Sequence, residues 1–170
     1  QYLIQACSHP EIIEPTGKGI DELIAECPKL ERTLGILDQV RSRGEKALLF
    51  TRYLGMQEIL QAAIAHRFGL HAQIINGSIT DSRRRLSLVN EFNEAPGFRV
   101  MILSPDAAGV GLNIIGANHV VHYTRLWNPA KENQATDRVH RIGQSRQVTV
   151  YYPIVAGEGF ETVEERLDEL

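Results

Sequence analysis

Apolar residues recur along this chain in two rhythms, one helical and one strand-like, and their alternation predicts its architecture. From Pro28 onward Leu30, Leu34, Leu37 and Val40 keep helical spacing, with proline at the start and Gly44 just past the end, which predicts an amphipathic helix. The apolar run at residues 46–51 reads as a strand, followed by a helical stretch from about residue 56 to 68 and a second strand over 71–76. Thr80 or Asp81 is placed to cap the next helix, which runs to about Asn93 with Leu86, Val89 and Phe92 expected to face inward. Three more strands are predicted at 99–103, 119–124 and 148–154. The first leads into a glycine-containing loop and the second into a helix opened by Pro129.

Strands alternating with helices, and apolar over most of their length, argue for a parallel sheet covered on both faces. The expected fold is therefore α/β, in three layers with a mainly parallel central sheet flanked by helices. Ligands in such sheets sit beyond the carboxyl ends of the strands, where residues 51–53, 76–78 and 104–111 fall. Pro10, Pro15, Gly17 and Gly19 mark residues 1–20 as irregular. The α/β unit is expected over 21–155, with a C-terminal helix in 156–170.

At 170 residues and 43% apolar composition the chain can bury one core. No apolar run approaches the roughly 20 residues of a membrane span, so the chain reads as soluble and intracellular. Cys7 and Cys27 form no CxxC pair and read as reduced thiols. His119 and His122 have HxxH spacing, but in a strand residues three apart point to opposite faces, so no metal site is expected. With a net charge of -3, any nucleic-acid contact must be local. The local candidates are Arg83, Arg84 and Arg85, then Arg138, Arg141 and Arg146.

The stretch QATDRVHRIGQ, residues 134–144, concentrates the chemistry. On a helix, residues three apart share a face, so Arg138 and Arg141 would project together with Gln134 one turn earlier. Two such guanidiniums form a fork for a phosphate, although Arg and His before Gly143 also suit an ordinary helix end. A self-sufficient nucleotide hydrolase needs GxxxxGK[ST] and an acidic residue for magnesium. Neither is present in these 170 residues; Thr16-Gly17-Lys18-Gly19 lacks the upstream glycine and the hydroxyl after lysine.

In order and spacing the chain resembles the second RecA-like lobe of SWI/SNF-family ATP-dependent DNA translocases. The resemblance rests on QACSHPEII, CPKLERTLGIL, ALLFTRY, INGSITDSRRRLSLVNEFN, SPDAAGVGLN, WNPAKENQATDRVHRIGQ and TVEERLDEL, which carry helicase motifs IV, V and VI in order. It implies arginine fingers at Arg138 and Arg141, with Gln134 and Asp137 positioning their helix and coupling it to nucleotide. Gly109 and Gly111 would allow close backbone approach in the motif V loop and join the nucleotide-coupling set. Thr51, Arg52, Gly77, Ser78 and Ser104 are expected to contact the backbone of double-stranded DNA without sequence preference. ATP and Mg2+ would be bound mainly by a first RecA-like lobe of the same polypeptide, with residues 1–20 leading in from it.

Two positions depart from that pattern. The family usually carries Thr and a basic residue after the serine, where Pro105 and Asp106 stand here, and often Asp at the position of Thr124. Trp127 is expected to pack rather than stack on a base. A DEAD-box RNA helicase lobe shares His140-Arg141-Ile142-Gly143 but usually continues with Arg, where this chain has Gln144. A non-catalytic interaction module derived from such a lobe is the other alternative.

Overall fold

The computed structural model describes residues 2–108, 112–137 and 144–169. Helices α1 (Tyr2–Ser8), α2 (Ile20–Glu26) and α3 (Pro28–Ser42) precede strand β1 (Lys46–Phe50). Then come α4 (Leu54–Phe68), β2 (Gln73–Ile75), α5 (Ser82–Glu94), β3 (Arg99–Leu103), α6 (Pro105–Ala108) and β4 (His119–His122). The chain closes with α7 (Pro129–Thr136), β5 (Thr149–Tyr151) and α8 (Val163–Asp168). The five strands are all parallel, in the order β2-β3-β1-β4-β5. The three-layer α/β expectation therefore stands.

Strand periodicity divides the core in two. Ala47 and Leu49 of β1 point to the face covered by α3 and α4, while Leu48 and Phe50 point to the face covered by α5, α6 and α7. Leu30, Leu34, Leu37 and Val40 are all fully buried on the first face, so the predicted helical spacing describes α3 well. Lys46 enters the second face, where its ammonium donates to the carbonyls of Phe92 and Asn93 at 2.6 and 2.8 Å. Those are terminal carbonyls of α5, which lack partners within the helix.

Three expectations change. Residues 2–8 form α1 and Pro10–Ile12 a 3-10 turn, not an irregular lead-in. The reason is anchoring: Tyr123 donates its hydroxyl to the Ser8 carbonyl at 2.8 Å, and the His9 ring meets the Leu23 carbonyl at 2.9 Å. Leu86 is 54% exposed, because the buried face of α5 is centred on Leu88, Val89 and Phe92 and Leu86 lies about 110° round the helix from it. Edge strands β2 and β5 are shorter than their apolar runs, with a pairing partner on one side only.

Asp81 is the residue that caps α5, accepting from Arg83 N at 2.9 Å. At the other end of the chain, Thr162 and Glu165 form a reciprocal capping box that starts α8. The buried Lys29–Glu164 pair, 2.5 Å apart, then ties α8 to α3. No helix among the described residues is long and apolar enough to cross a membrane.

Candidate functional site

The connection leaving β1 enters α4 on the first face, whereas those leaving its neighbours β3 and β4 lead to α6 and α7 on the second. Loops diverging to opposite faces open a crevice at the carboxyl end of the sheet, the switch point where α/β proteins bind ligands. A groove of about 140 Å³ lies there, lined by Arg52, Pro105, Asp106, Leu126, Trp127, Asn128 and Lys131. Trp127 is 64% exposed, so the expectation that it packs is corrected: Pro129 starts a helix at once and leaves the indole at the rim of the groove. Lys131 Nζ lies 3.8 Å from Asp106 Oδ1, giving the unusual carboxylate at 106 a neighbour of opposite charge. Arg52 is exposed, its guanidinium 5.9 Å from the Tyr53 ring.

Thr51 does not share that exposure. It is fully buried and its hydroxyl lies 2.8 Å from that of Thr124, so the expected direct side-chain contact with DNA is corrected to a supporting place beneath the loops. The same hydrogen bond accounts for Thr124, whose hydroxyl finds a partner in the next strand. From Thr51 a polar chain continues outward. Gln57 Nε2 donates to the Thr51 carbonyl at 3.1 Å, and Asn76 Nδ2 donates to Gln57 Oε1 at 2.7 Å. Asn76 Oδ1 in turn accepts from Ser78 N at 2.9 Å and Ser78 Oγ at 2.6 Å.

Ser78 and Gly77 are both exposed, and a Cβ on Gly77 would meet nothing within 4 Å. That glycine leaves open space above the loop. Ser104 Oγ accepts from Ala107 N at 3.3 Å, so the expected glycine loop begins as the short helix α6. Arg85 donates to the Ile79 carbonyl, whereas Arg83 and Arg84 are exposed.

Helix α7 is mounted with unusual firmness for eight residues. Asn128 caps it by accepting from Ala130 N at 3.0 Å, and Pro129 occupies its first turn. Glu132, only 2% exposed, accepts from Arg125 Nε at 3.1 Å and from Leu126 N at 2.7 Å. The Arg125 guanidinium also binds Asp168 of α8 and lies 4.8 Å from the Tyr152 ring. One turn later Thr136 Oγ1 meets His122 Nε2 at 2.8 Å. That imidazole is stacked between Phe50 and Tyr152, at 5.3 and 5.1 Å. Burial, and secondarily the positive Arg125, push its pKa down to about 4, so it is neutral near pH 7.

Gln134 and Asp137 are exposed at the far end of α7. Gly109, Gly111, Arg138, His140 and Arg141 lie outside the described residues. Beyond that segment, Gln144 Nε2 donates to the carbonyls of Ile115 and Ala117 at 3.1 and 2.5 Å, and Arg146 to that of Gly116 at 3.2 Å. A Cβ on Gly116 would come within 2.8 Å of the Asn93 backbone, which requires glycine at this close approach. The chain therefore returns to the sheet at a defined place.

His119 and His122 lie on opposite faces of β4 as the strand period demands, with Glu45 and Tyr151 beside the first and Thr136 beside the second. Gln57, Arg125 and Glu132 were not singled out from the sequence. A polar residue beside Met56 and Leu60, which are both fully buried, was the available signal for Gln57. A larger cavity, about 590 Å³, lies elsewhere, between α1, the start of α3 and residues 152–156.

Residues 28–143 match the family described as the helicase conserved C-terminal domain. Zorya protein ZorD of Escherichia coli O139:H28 is 44% identical over 96% of this chain and 15% of its own length. The putative ATP-dependent helicase/translocase YwqA of Bacillus subtilis is 41% identical, covering 98% of this chain and 17% of its own. This chain thus spans under a fifth of the length of either relative. Among solved structures, the Sulfolobus solfataricus SWI2/SNF2 ATPase core domain superposes with a TM-score of 0.79 at 30% identity, over 99% of this chain and 32% of that one.

Proposed function

The chain belongs to the helicase conserved C-terminal domain family, as a RecA-like lobe of the SNF2 type, and we propose that it serves as the second lobe of an ATP-driven double-stranded DNA translocase. In that role Arg138 and Arg141 reach ATP bound mainly on a first lobe, and the strand-end loops track the DNA backbone. The observation that carries this reading is the mounting of α7. The buried Arg125–Glu132 pair and the His122–Thr136 contact fix both ends of a helix whose C-cap, Asp137, is the residue before Arg138.

Phosphoryl transfer to water is the chemistry supplied by ATP with Mg2+, and this chain's part is electrostatic. A guanidinium held by a rigid support neutralises charge that grows in the transition state without first having to be ordered. Gln134 and Asp137, exposed on the last turn of α7, are placed to couple that segment to nucleotide. On the nucleic-acid side, Arg52, Gly77, Ser78 and the Trp127 rim supply one cation, a loop with open space above it and an apolar edge. Such a surface binds phosphates without reading bases. The net charge of -3 makes the isolated lobe a weak, salt-sensitive binder.

The test uses the protein that carries both lobes. Arg141→Ala is expected to lower DNA-stimulated turnover at saturating ATP about 10³-fold, with nucleotide affinity changed only a few-fold. Near wild-type turnover would remove Arg141 from the transition state and with it this assignment.

A further inference from the structure

Gln57 is 1% exposed and sits in the first turn of α4, a helix otherwise buried through Met56, Leu60, Ala63 and Ile64. A buried primary amide costs stability unless its donor and acceptor both find partners. Here the Thr51 carbonyl takes the donor and the Asn76 amide satisfies the acceptor, at 3.1 and 2.7 Å. The ends of this relay fix its direction. The Thr51 carbonyl can only accept and the Ser78 N–H can only donate, so Gln57 must offer nitrogen inward and oxygen outward. Asn76 must then offer nitrogen to Gln57 and oxygen to Ser78.

We propose that Gln57 is a positioning residue for the loop at 76–78, holding Asn76 in the one amide orientation that accepts from both Ser78 donors and so fixes the shape this loop presents to a DNA phosphate. This rests on the reading that the loop faces DNA. The relay also has an inner end. Thr51 is bonded through its hydroxyl to Thr124, at the end of β4 from which the chain enters α7. The loop is thereby referenced to the same strand ends that support the arginine segment, rather than floating on the short edge strand β2. Without Gln57, the Asn76 amide loses its anchor, its head rotates, and the Ser78 amide and hydroxyl lose a fixed acceptor.

The experiment measures ATP hydrolysis by the full-length protein against DNA concentration, for wild type, Gln57→Leu, Gln57→Met and Asn76→Ala. Gln57→Leu is expected to raise the DNA concentration for half-maximal stimulation about fivefold, the size of one lost hydrogen bond, while turnover at saturating DNA stays within about twofold. Gln57→Met fills the same volume with a flexible chain and is expected to give the same shift, which guards against a packing defect in either variant. Adding Gln57→Leu to Asn76→Ala is expected to change nothing further, because the two act through one contact. A shift in melting temperature with the DNA dependence unmoved, or effects of Gln57→Leu and Asn76→Ala that multiply, would overturn the proposal. Absence of any stimulation of the wild type by DNA would overturn the DNA-facing reading and this inference together. Normal stimulation that ignores position 57 overturns this inference alone.

Discussion

The sheet face under α3 and α4 is closed chiefly by apolar side chains, among them Leu30, Leu34, Leu37, Leu60 and Ile64, all fully buried. The opposite face begins in the same way, with Leu48, Phe50, Met101 and Leu103, but α7 is fastened beside it by Arg125–Glu132 and His122–Thr136. Apolar burial is non-directional and is nearly indifferent to which well-packed rotamer fills the space. Charged hydrogen bonds fix distance and angle. The first face therefore supplies stability, and the second sets where α7 lies relative to the strand ends. A lobe that must present a few groups to a partner needs both, and here the contacts that seat α7 lie on the second side of the sheet.

The strongest way to break that comparison is to remove one partner from the polar side. Glu132→Ala leaves the buried Arg125 guanidinium, among the described residues, with Asp168, the Leu167 carbonyl and the Tyr152 ring, and is expected to destabilise the chain by about 3–5 kcal/mol. A volume-conserving change on the other face, Leu34→Met, is expected to cost less than about 1.5 kcal/mol. Urea unfolding of both variants decides it. Equal costs would mean that the two faces do not differ in kind.

Next in size is a pH effect specific to the second face. His122 titrates at about 4 when folded and near 6.5 when unfolded. Between those values the unfolded chain binds the extra proton, so stability falls as pH drops from 6.5 toward 4, by no more than about 3 kcal/mol in all. The carboxylates of Glu45 and Glu165, held below their usual range by hydrogen bonds from His119 and from Thr162 respectively, add to the loss only at the acid end. Unfolding measured from pH 7 to 4.5 is expected to show this slope, and His122→Phe, which keeps the stack between Phe50 and Tyr152, is expected to flatten it. An unchanged slope in that variant would assign it to other groups.

The same contrast explains what could be read from the chain. The spacing of Leu30, Leu34, Leu37 and Val40 announces α3, and the runs at 46–50 and 99–103 announce the two strands nearest the centre, because apolar periodicity is a local property. Partnerships such as Arg125 with Asp168, or Gln57 with Asn76, join residues 43 and 19 positions apart; no period marks them. Thr51 was placed on the surface for the same reason, since only the approach of β4 shows that its hydroxyl has a buried partner. Trp127 erred in the opposite direction. Its size suggested packing, but the proline two residues later turns the chain before the indole can be covered. Residues 1–20 misled through their breakers, since Tyr123, more than a hundred positions away, is what holds Ser8.

The smallest effect tests whether the Thr51–Thr124 contact belongs to the directional kind. Each hydroxyl is buried, and their 2.8 Å contact adds a side-chain hydrogen bond to the backbone ones from Tyr123 N and Thr124 N to the Phe50 carbonyl that join the ends of β1 and β4. Thr124→Val keeps the shape but strands the Thr51 hydroxyl without a partner, at an expected cost of about 1–2 kcal/mol. Replacing both, Thr51→Val with Thr124→Val, removes the unsatisfied group and exchanges a hydrogen bond for apolar contact, which is expected to recover most of that loss. In the protein with both lobes, however, the double variant is expected to stay deficient in DNA-stimulated hydrolysis, because a pair of valines restores packing without restoring the angle between the loops. Urea unfolding and DNA-stimulated turnover, measured on the single and double variants together, separate the two roles. If turnover recovers along with stability, the hydroxyl pair is only filling space, and the strand ends are held by apolar packing as the other face is.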